Sequence, residues 1–190
     1  LGDVYKRQGS TGAVIFAVSL EVVAFTWLVA TVNLLSAVLA VSATIFYVFV
    51  YSMWLKRTST TNIVIGGAAG AVPVLVRWSA VTGSLDWPPV VLFLVVFYWT
   101  PPHFWALALY RREEYANAGI PMLPVTHGER YTRLQILLYT LLLFGVTLLP
   151  FGTQMFGSIY LAGSIVLNSG FVYYAVCLLR NYSDALARKT

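Results

Sequence analysis

The chain has 190 residues, of which 59% are hydrophobic and only 10% charged, with a mean hydropathy of +0.77 and a formal net charge of +5. A soluble domain carries charged side chains at about a quarter of its positions, so this composition excludes an ordinary water-soluble globule. The basic residues lie in short segments between apolar runs and form no polar face of their own. That placement argues for membrane topology and against nucleic acid as a partner.

Residues 1–8 include Asp3-Val4-Tyr5-Lys6-Arg7-Gln8, which matches the translation of a common transposon sequencing adapter. They are expected to lie outside the fold, leaving 9–190 as part of one transmembrane domain. About six apolar runs follow, at roughly 12–32, 34–54, 62–82, 88–109, 133–151 and 156–179. Each is near the ~20 residues a helix needs to cross a bilayer. Lipid offers the backbone no hydrogen-bond partner, so an all-α, polytopic helical bundle is predicted.

The joints after the second and fourth runs carry Lys56, Arg57, Arg111, Arg112, Arg130 and Arg133, and the tail adds Arg180, Arg188 and Lys189. These are nine of the twelve basic residues; the others are Lys6, Arg7 and the intramembrane Arg77. All nine fall on one side of a six-span layout, the side that the positive-inside rule assigns to the cytoplasm. Arg77 and the mid-span Glu21 are costly in hydrocarbon and are expected to face protein or to snorkel, with a Glu21–Arg77 pair as one option. Cys177, alone in an apolar run, reads as a small packing side chain.

The third run opens with Gly66-Gly67-Ala68-Ala69-Gly70-Ala71. Small residues allow helix backbones to approach closely; the alternative is a smooth wall for an isoprenoid chain. The fourth run ends Trp99-Thr100-Pro101-Pro102-His103-Phe104-Trp105, and its two prolines predict a kink. His103 can ligate haem iron, relay a proton or simply pack.

The long joint after Tyr110 contains Arg111-Arg112-Glu113-Glu114-Tyr115. Paired carboxylates beside guanidinium groups suit a magnesium-bound diphosphate. A solvated, salt-bridged helix end is the plainer reading of the same residues. Lys56 and Arg57 form a second basic cluster on the same predicted face.

Several stretches resemble the haem-farnesylating branch of the UbiA-type intramembrane prenyltransferases. They are Tyr47-Val48-Phe49-Val50-Tyr51, Leu55-Lys56-Arg57, the run from Asn62 to Pro73, Thr100-Pro101-Pro102-His103-Phe104-Trp105, Ala118-Gly119-Ile120-Pro121-Met122 and Gln135-Ile136 with Tyr139. The resemblance implies a nine-helix fold around a cavity open towards the cytoplasm of a bacterial inner membrane. It implies transfer of a farnesyl group from farnesyl diphosphate to haem B, giving haem O for terminal oxidases, with haem A synthase or the oxidase as possible partners.

In such an enzyme Glu113, Glu114 and Tyr115 form the second of two acidic motifs. Glu113 and Glu114 hold Mg2+ jointly with the first motif, while Lys56, Arg57, Asn62, Arg111 and Arg112 bind diphosphate. His103, Tyr47 and Tyr51 contact haem or substrate. The first two helices, the first acidic motif and the last helix are expected to be missing, so the fragment alone is expected to be inactive. Glu stands where the motif more often has Asp, and Arg77 where the family has a small residue. The alternatives are a prenyltransferase of the same fold acting on an aromatic acceptor such as 4-hydroxybenzoate, and a non-catalytic transporter or assembly subunit.

Overall fold

A computed structural model describes residues 10–183 and Ala187; the adapter-like segment 1–8, Arg188 and Lys189 lie outside the described residues. Six helices are long and apolar enough to span a membrane. They are α1 (Ser10–Thr31); α2 (Leu34–Ile45), continued by a π-helical segment (Phe46–Leu55) and α3 (Lys56–Thr58); α4 (Asn62–Thr82); α5 (Trp87–Tyr110); α8 (Glu129–Gly152); and α9 (Ser158–Arg180). Between α5 and α8 lie two short helices, α6 (Arg112–Asn117) and α7 (Leu123–Thr126). The described residues contain no strand.

Extensive packing runs between spans consecutive in the chain: α1 on α2, α2 on α4, α4 on α5, α5 on α8 and α8 on α9. The result is a row of helices rather than a closed bundle. α1 contributes no buried residue to its span, and Val14, Phe16, Val23 and Trp27 all stand exposed. Hydrocarbon tolerates such a surface, because lipid tails are as apolar as these side chains.

Each contact has a local cause. Asn33 caps α2, its Oδ1 accepting from the Ser36 amide at 2.8 Å, while its Nδ2 donates to the Ser79 carbonyl at 2.8 Å. The fully buried Ser36 and Ser79 hydroxyls meet at 2.8 Å. This polar knot ties the start of α2 to the end of α4, where hydrocarbon would leave each group unsatisfied.

Close packing accounts for two of the α4 glycines. A Cβ on Gly66 would lie 2.4 Å from Cδ2 of Tyr51, and one on Gly67 would lie 3.1 Å from Thr100. Both glycines serve close packing, Gly66 under the Tyr51 ring and Gly67 against α5. Gly70 meets nothing within 4 Å.

The α5 helix runs unbroken through Pro101 and Pro102, both buried; neighbouring helices hold a helix together where prolines remove its donors. One expectation changes. The joint after α5 is no open loop, since α6 and α7 occupy it and α8 begins at Glu129. The π-helical segment was not foreseen, because no propensity distinguishes it from the α-helix that it widens. Glu21 and Arg77 form no ion pair with each other or with any other described residue.

Gly66→Ala should destabilise the detergent-solubilised protein by about 1–3 kcal/mol through overpacking against Tyr51. Gly70→Ala should be neutral or slightly stabilising. Thermal unfolding of the two variants side by side measures the difference.

Candidate functional site

One end of the helix row gathers most of the residues singled out above. Ile63 of α4, Trp105 and Leu109 of α5, Met122 and Leu123 of the joint, Ile136 of α8 and Leu178 of α9 share one buried cluster, with Tyr115 packed against it. This cluster fixes the start of α4, the end of α5 and the start of α8 at a common level. Tyr182 donates to the Leu109 carbonyl at 3.4 Å, taking one acceptor at the α5 terminus. Arg133 donates to the Leu178 and Leu179 carbonyls at 3.3 and 3.4 Å and lies 5.5 Å from the Tyr182 ring centroid. Its charge therefore sits on the negative end of the α9 dipole and satisfies carbonyls that the helix leaves open. Neither role was read from the sequence; a lone Arg at a span start gives no sign of the helix end it will meet.

The joint itself is shaped by glycine. Gly119 (φ 66°) and Gly128 (φ 81°) take left-handed backbone, which side-chain-bearing residues adopt at a cost. Gly119 turns the chain after α6, and Gly128 leads into α8. Glu113 and Glu114 occupy the first turn of α6, exposed. With Tyr110, Arg111 and Arg112 they line a cleft of about 210 Å³.

Arg112 makes an ion pair with Glu129 at the start of α8. The salt-bridged reading thus holds for this arginine, with a partner that sequence reasoning did not identify. Arg111 stands exposed. Lys56 and Arg57 in α3 are exposed as well, beyond the buried Leu55; they lie at the same end of the row but do not line the cleft.

The aromatic candidates divide. Tyr47 and Tyr51 pack with ring centroids 5.2 Å apart on the π-helical segment. His103 does not join this group. It is exposed on α5, stacked on Trp99 at 4.5 Å and edge-on to Phe104 at 5.5 Å. Along the helix it lies roughly 10 Å from Tyr110.

Asn62 is the most unusual side chain at this end. It is 1% exposed, yet neither its Oδ1 nor its Nδ2 has a hydrogen-bond partner among the described residues. It opens α4 one turn before Gly66, the seat of Tyr51. An orphaned buried amide is costly, and such a group calls for an explanation, a functional role or a bound water or ion among them. The indole N–H of Trp105 is likewise buried and unpaired.

Carboxylates, guanidinium groups and a buried amide thus share one end of a row of helices long and apolar enough to span a membrane, the layout of an integral membrane protein. The sequence profile of the UbiA prenyltransferase family matches residues 6–190, and the chain belongs to that family. It is 54% identical over 175 residues to the protoheme IX farnesyltransferase of Saccharophagus degradans, covering 92% of this chain and 58% of that protein. Proteins of the same name from Thiobacillus denitrificans and Symbiobacterium thermophilum are 57% and 61% identical, over 84% and 79% of this chain and 53% and 50% of theirs. The chain thus spans little more than half the length of the curated relatives it matches. No solved structure matches it.

Asn62→Leu removes an unpartnered amide from an apolar surround. The ligand-free protein should be as stable as the parent or more stable by about 1 kcal/mol, while inorganic diphosphate with Mg2+ should protect the variant less against thermal unfolding. Stability lost on substitution would mean that the amide is satisfied internally.

Proposed function

We propose that the protein to which this chain belongs transfers a farnesyl group from farnesyl diphosphate to a vinyl group of haem B, forming haem O. The observation that carries this reading is the orphaned Asn62 amide at the end of the helix row that also holds Glu113, Glu114, Arg111, Arg112, Lys56 and Arg57. The names of the relatives support the choice of donor and acceptor.

Among the described residues no cluster of three or more metal-binding side chains occurs. The adjacent, exposed Glu113 and Glu114 nevertheless fit half of a magnesium site, since this ion commonly takes one or two carboxylates and fills its shell with phosphate oxygens and water. Mg2+ so held would neutralise charge on the departing diphosphate. Arg111 is free to bond phosphate oxygens, Arg112 can exchange Glu129 for them, and Lys56 and Arg57 add positive potential at the same face.

As the C1–O bond breaks, the diphosphate leaves with the electron pair and C1 becomes allylic cation. Tyr47, Tyr51 and Tyr115 supply aromatic faces and phenol oxygens that stabilise positive charge. The vinyl π electrons form the new C–C bond, and the cation left beside the porphyrin takes water and loses a proton, giving a hydroxyl. His103, on the more hydrophobic stretch of α5, is assigned to the porphyrin. The active face is cytoplasmic in a bacterial inner membrane, following the side on which the basic residues gather. Haem A synthase or a terminal oxidase would receive the product.

The complete enzyme, purified with Mg2+, should convert haem B and farnesyl diphosphate to haem O. Glu113→Gln with Glu114→Gln should lower kcat by at least about 10²-fold. Turnover of 4-hydroxybenzoate in place of haem would move the protein to another branch of the family, and no transfer to any acceptor would remove the enzymatic reading. His103→Ala should weaken haem binding; an unchanged haem titration would take His103 out of the site.

A further inference from the structure

A second hollow opens at the charged end of the row, between the start of α8 and the end of α9. It measures about 570 Å³ and is lined by His127, Arg130, Tyr131, Leu134 and Leu179, none of which lines the charged cleft. Its lining mixes two chemistries. Leu134 and Leu179 are apolar, whereas Arg130 is an exposed cation that makes no ion pair among the described residues. Glu129, its neighbour in the chain, is engaged by Arg112. His127 is held in place, its ring stacked on Tyr131 with centroids 5.2 Å apart and its Nδ1 2.9 Å from the Thr126 hydroxyl. Arg180, directly after Leu179, is exposed as well.

The packing of α8 shows which way this hollow faces. The buried face of α8 includes Thr132, Ile136, Thr140, Leu143 and Thr147, and both neighbours pack there. Ile136 shares a cluster with Trp105 of α5 and Leu178 of α9, and Thr147 accepts from Asn168 of α9. With both neighbours on one side, α8 stands at the apex of an arc. Tyr131, Leu134, Leu138 and Leu141 follow one another at intervals of three or four residues, which places them together on the opposite, convex side. All four are exposed. Ten residues separate Tyr131 from Leu141, a rise of roughly 15 Å. That is half of a hydrocarbon core about 30 Å thick, the depth of one leaflet.

We propose that this hollow binds the headgroup of an anionic phospholipid from the leaflet at the charged end, with an acyl chain lying along Leu134, Leu138 and Leu141. The guanidinium of Arg130 forms charge-assisted hydrogen bonds to phosphodiester oxygens. Tyr131 presents an amphipathic ring at headgroup level, where such rings are favoured. The hollow is within the size range of small-molecule sites. Below it the exposed leucines offer an apolar track as deep as the chain is long. Net charge sets the choice of headgroup. A zwitterionic lipid brings its own cation into the field of Arg130 and Arg180, whereas an anionic lipid brings none. Inorganic phosphate meets the same cations but leaves the leucine track uncovered.

The test is amide hydrogen exchange in the complete protein, delipidated in a neutral detergent and titrated with dioleoyl phosphatidylglycerol, dioleoyl phosphatidylcholine or inorganic phosphate. Phosphatidylglycerol at ten times its Kd should slow exchange across residues 127–134 by about tenfold, and the other two should leave it unchanged. Arg130→Gln should weaken that protection by about fivefold in apparent affinity, the effect of one basic side chain beside an anionic headgroup. Arg57→Gln removes the same charge at the same face but outside the hollow, and should change the affinity by less than about twofold. Should Arg130→Gln fail to accumulate, the comparison of the three probes on the unsubstituted protein still decides. Equal protection by phosphatidylcholine, protection by inorganic phosphate, or no protection by phosphatidylglycerol overturns the assignment. So does a loss in Arg57→Gln as large as that in Arg130→Gln, which would mark a diffuse surface charge rather than a site.

Discussion

Hydrocarbon satisfies neither peptide groups nor charges, and every feature of this chain answers to that fact. The backbone is spent in helices. Many hydroxyls within the spans return to their own helix, as Ser19 does to Ile15, Thr26 to Val22 and Thr140 to Ile136, each at 2.8 Å. Amides reach across to a neighbour, as Asn33 does to Ser79 and Asn168 to Thr147. Among the described residues, three buried side chains depart from this pattern: the indole N–H groups of Trp78 and Trp105 are unpaired, and Asn62 alone leaves both a donor and an acceptor open.

The same constraint sorts charge along the helix axes. Cationic side chains collect where water and headgroups can solvate them, and the joints at the other end contain none. Within the charged end the cations differ in their engagement. Arg133 is committed to the α9 carbonyls and stacks near Tyr182, so its role is to close the structure. Arg112 is held by one partly exposed carboxylate, an interaction worth little in high dielectric and readily exchanged for phosphate. Arg111, Lys56 and Arg57 are exposed. A gradient from structural to available charge thus runs from α8 and α9 towards the cleft.

Much of this was legible beforehand, and what was not shares one cause. Span number and the side of the basic joints follow from composition along the chain, and a bilayer imposes them without tertiary help. The six observed spans differ from the expected ones by about a turn at most, the largest differences being at Thr58, where the second span ends a turn late, and at Glu129, where α8 starts a turn early. Contacts between distant positions were not legible. Glu129 gave no sign that it would take Arg112, and the glycines of α4 could not say which of them would carry Tyr51 and which would face open space. Asn168 was passed over as one polar residue among apolar ones, although an uncharged amide deep in a span already asks for a partner. Nor could the sequence say which way His103 points; α5 turns it outward, onto Trp99.

An allylic diphosphate joins a strongly solvated anion to a chain that avoids water, so a site that binds both ends must cross the boundary that sorted the protein's own residues. The exposed cations can exchange solvent for phosphate at little net gain, because their charges are already stabilised without a ligand. Asn62 has no such alternative among the described residues, so pairing its amide returns the full desolvation penalty of a buried polar group. In the reaction proposed above, the uncharged amide would on these grounds contribute more to discrimination between bound and empty states than any single cation around it.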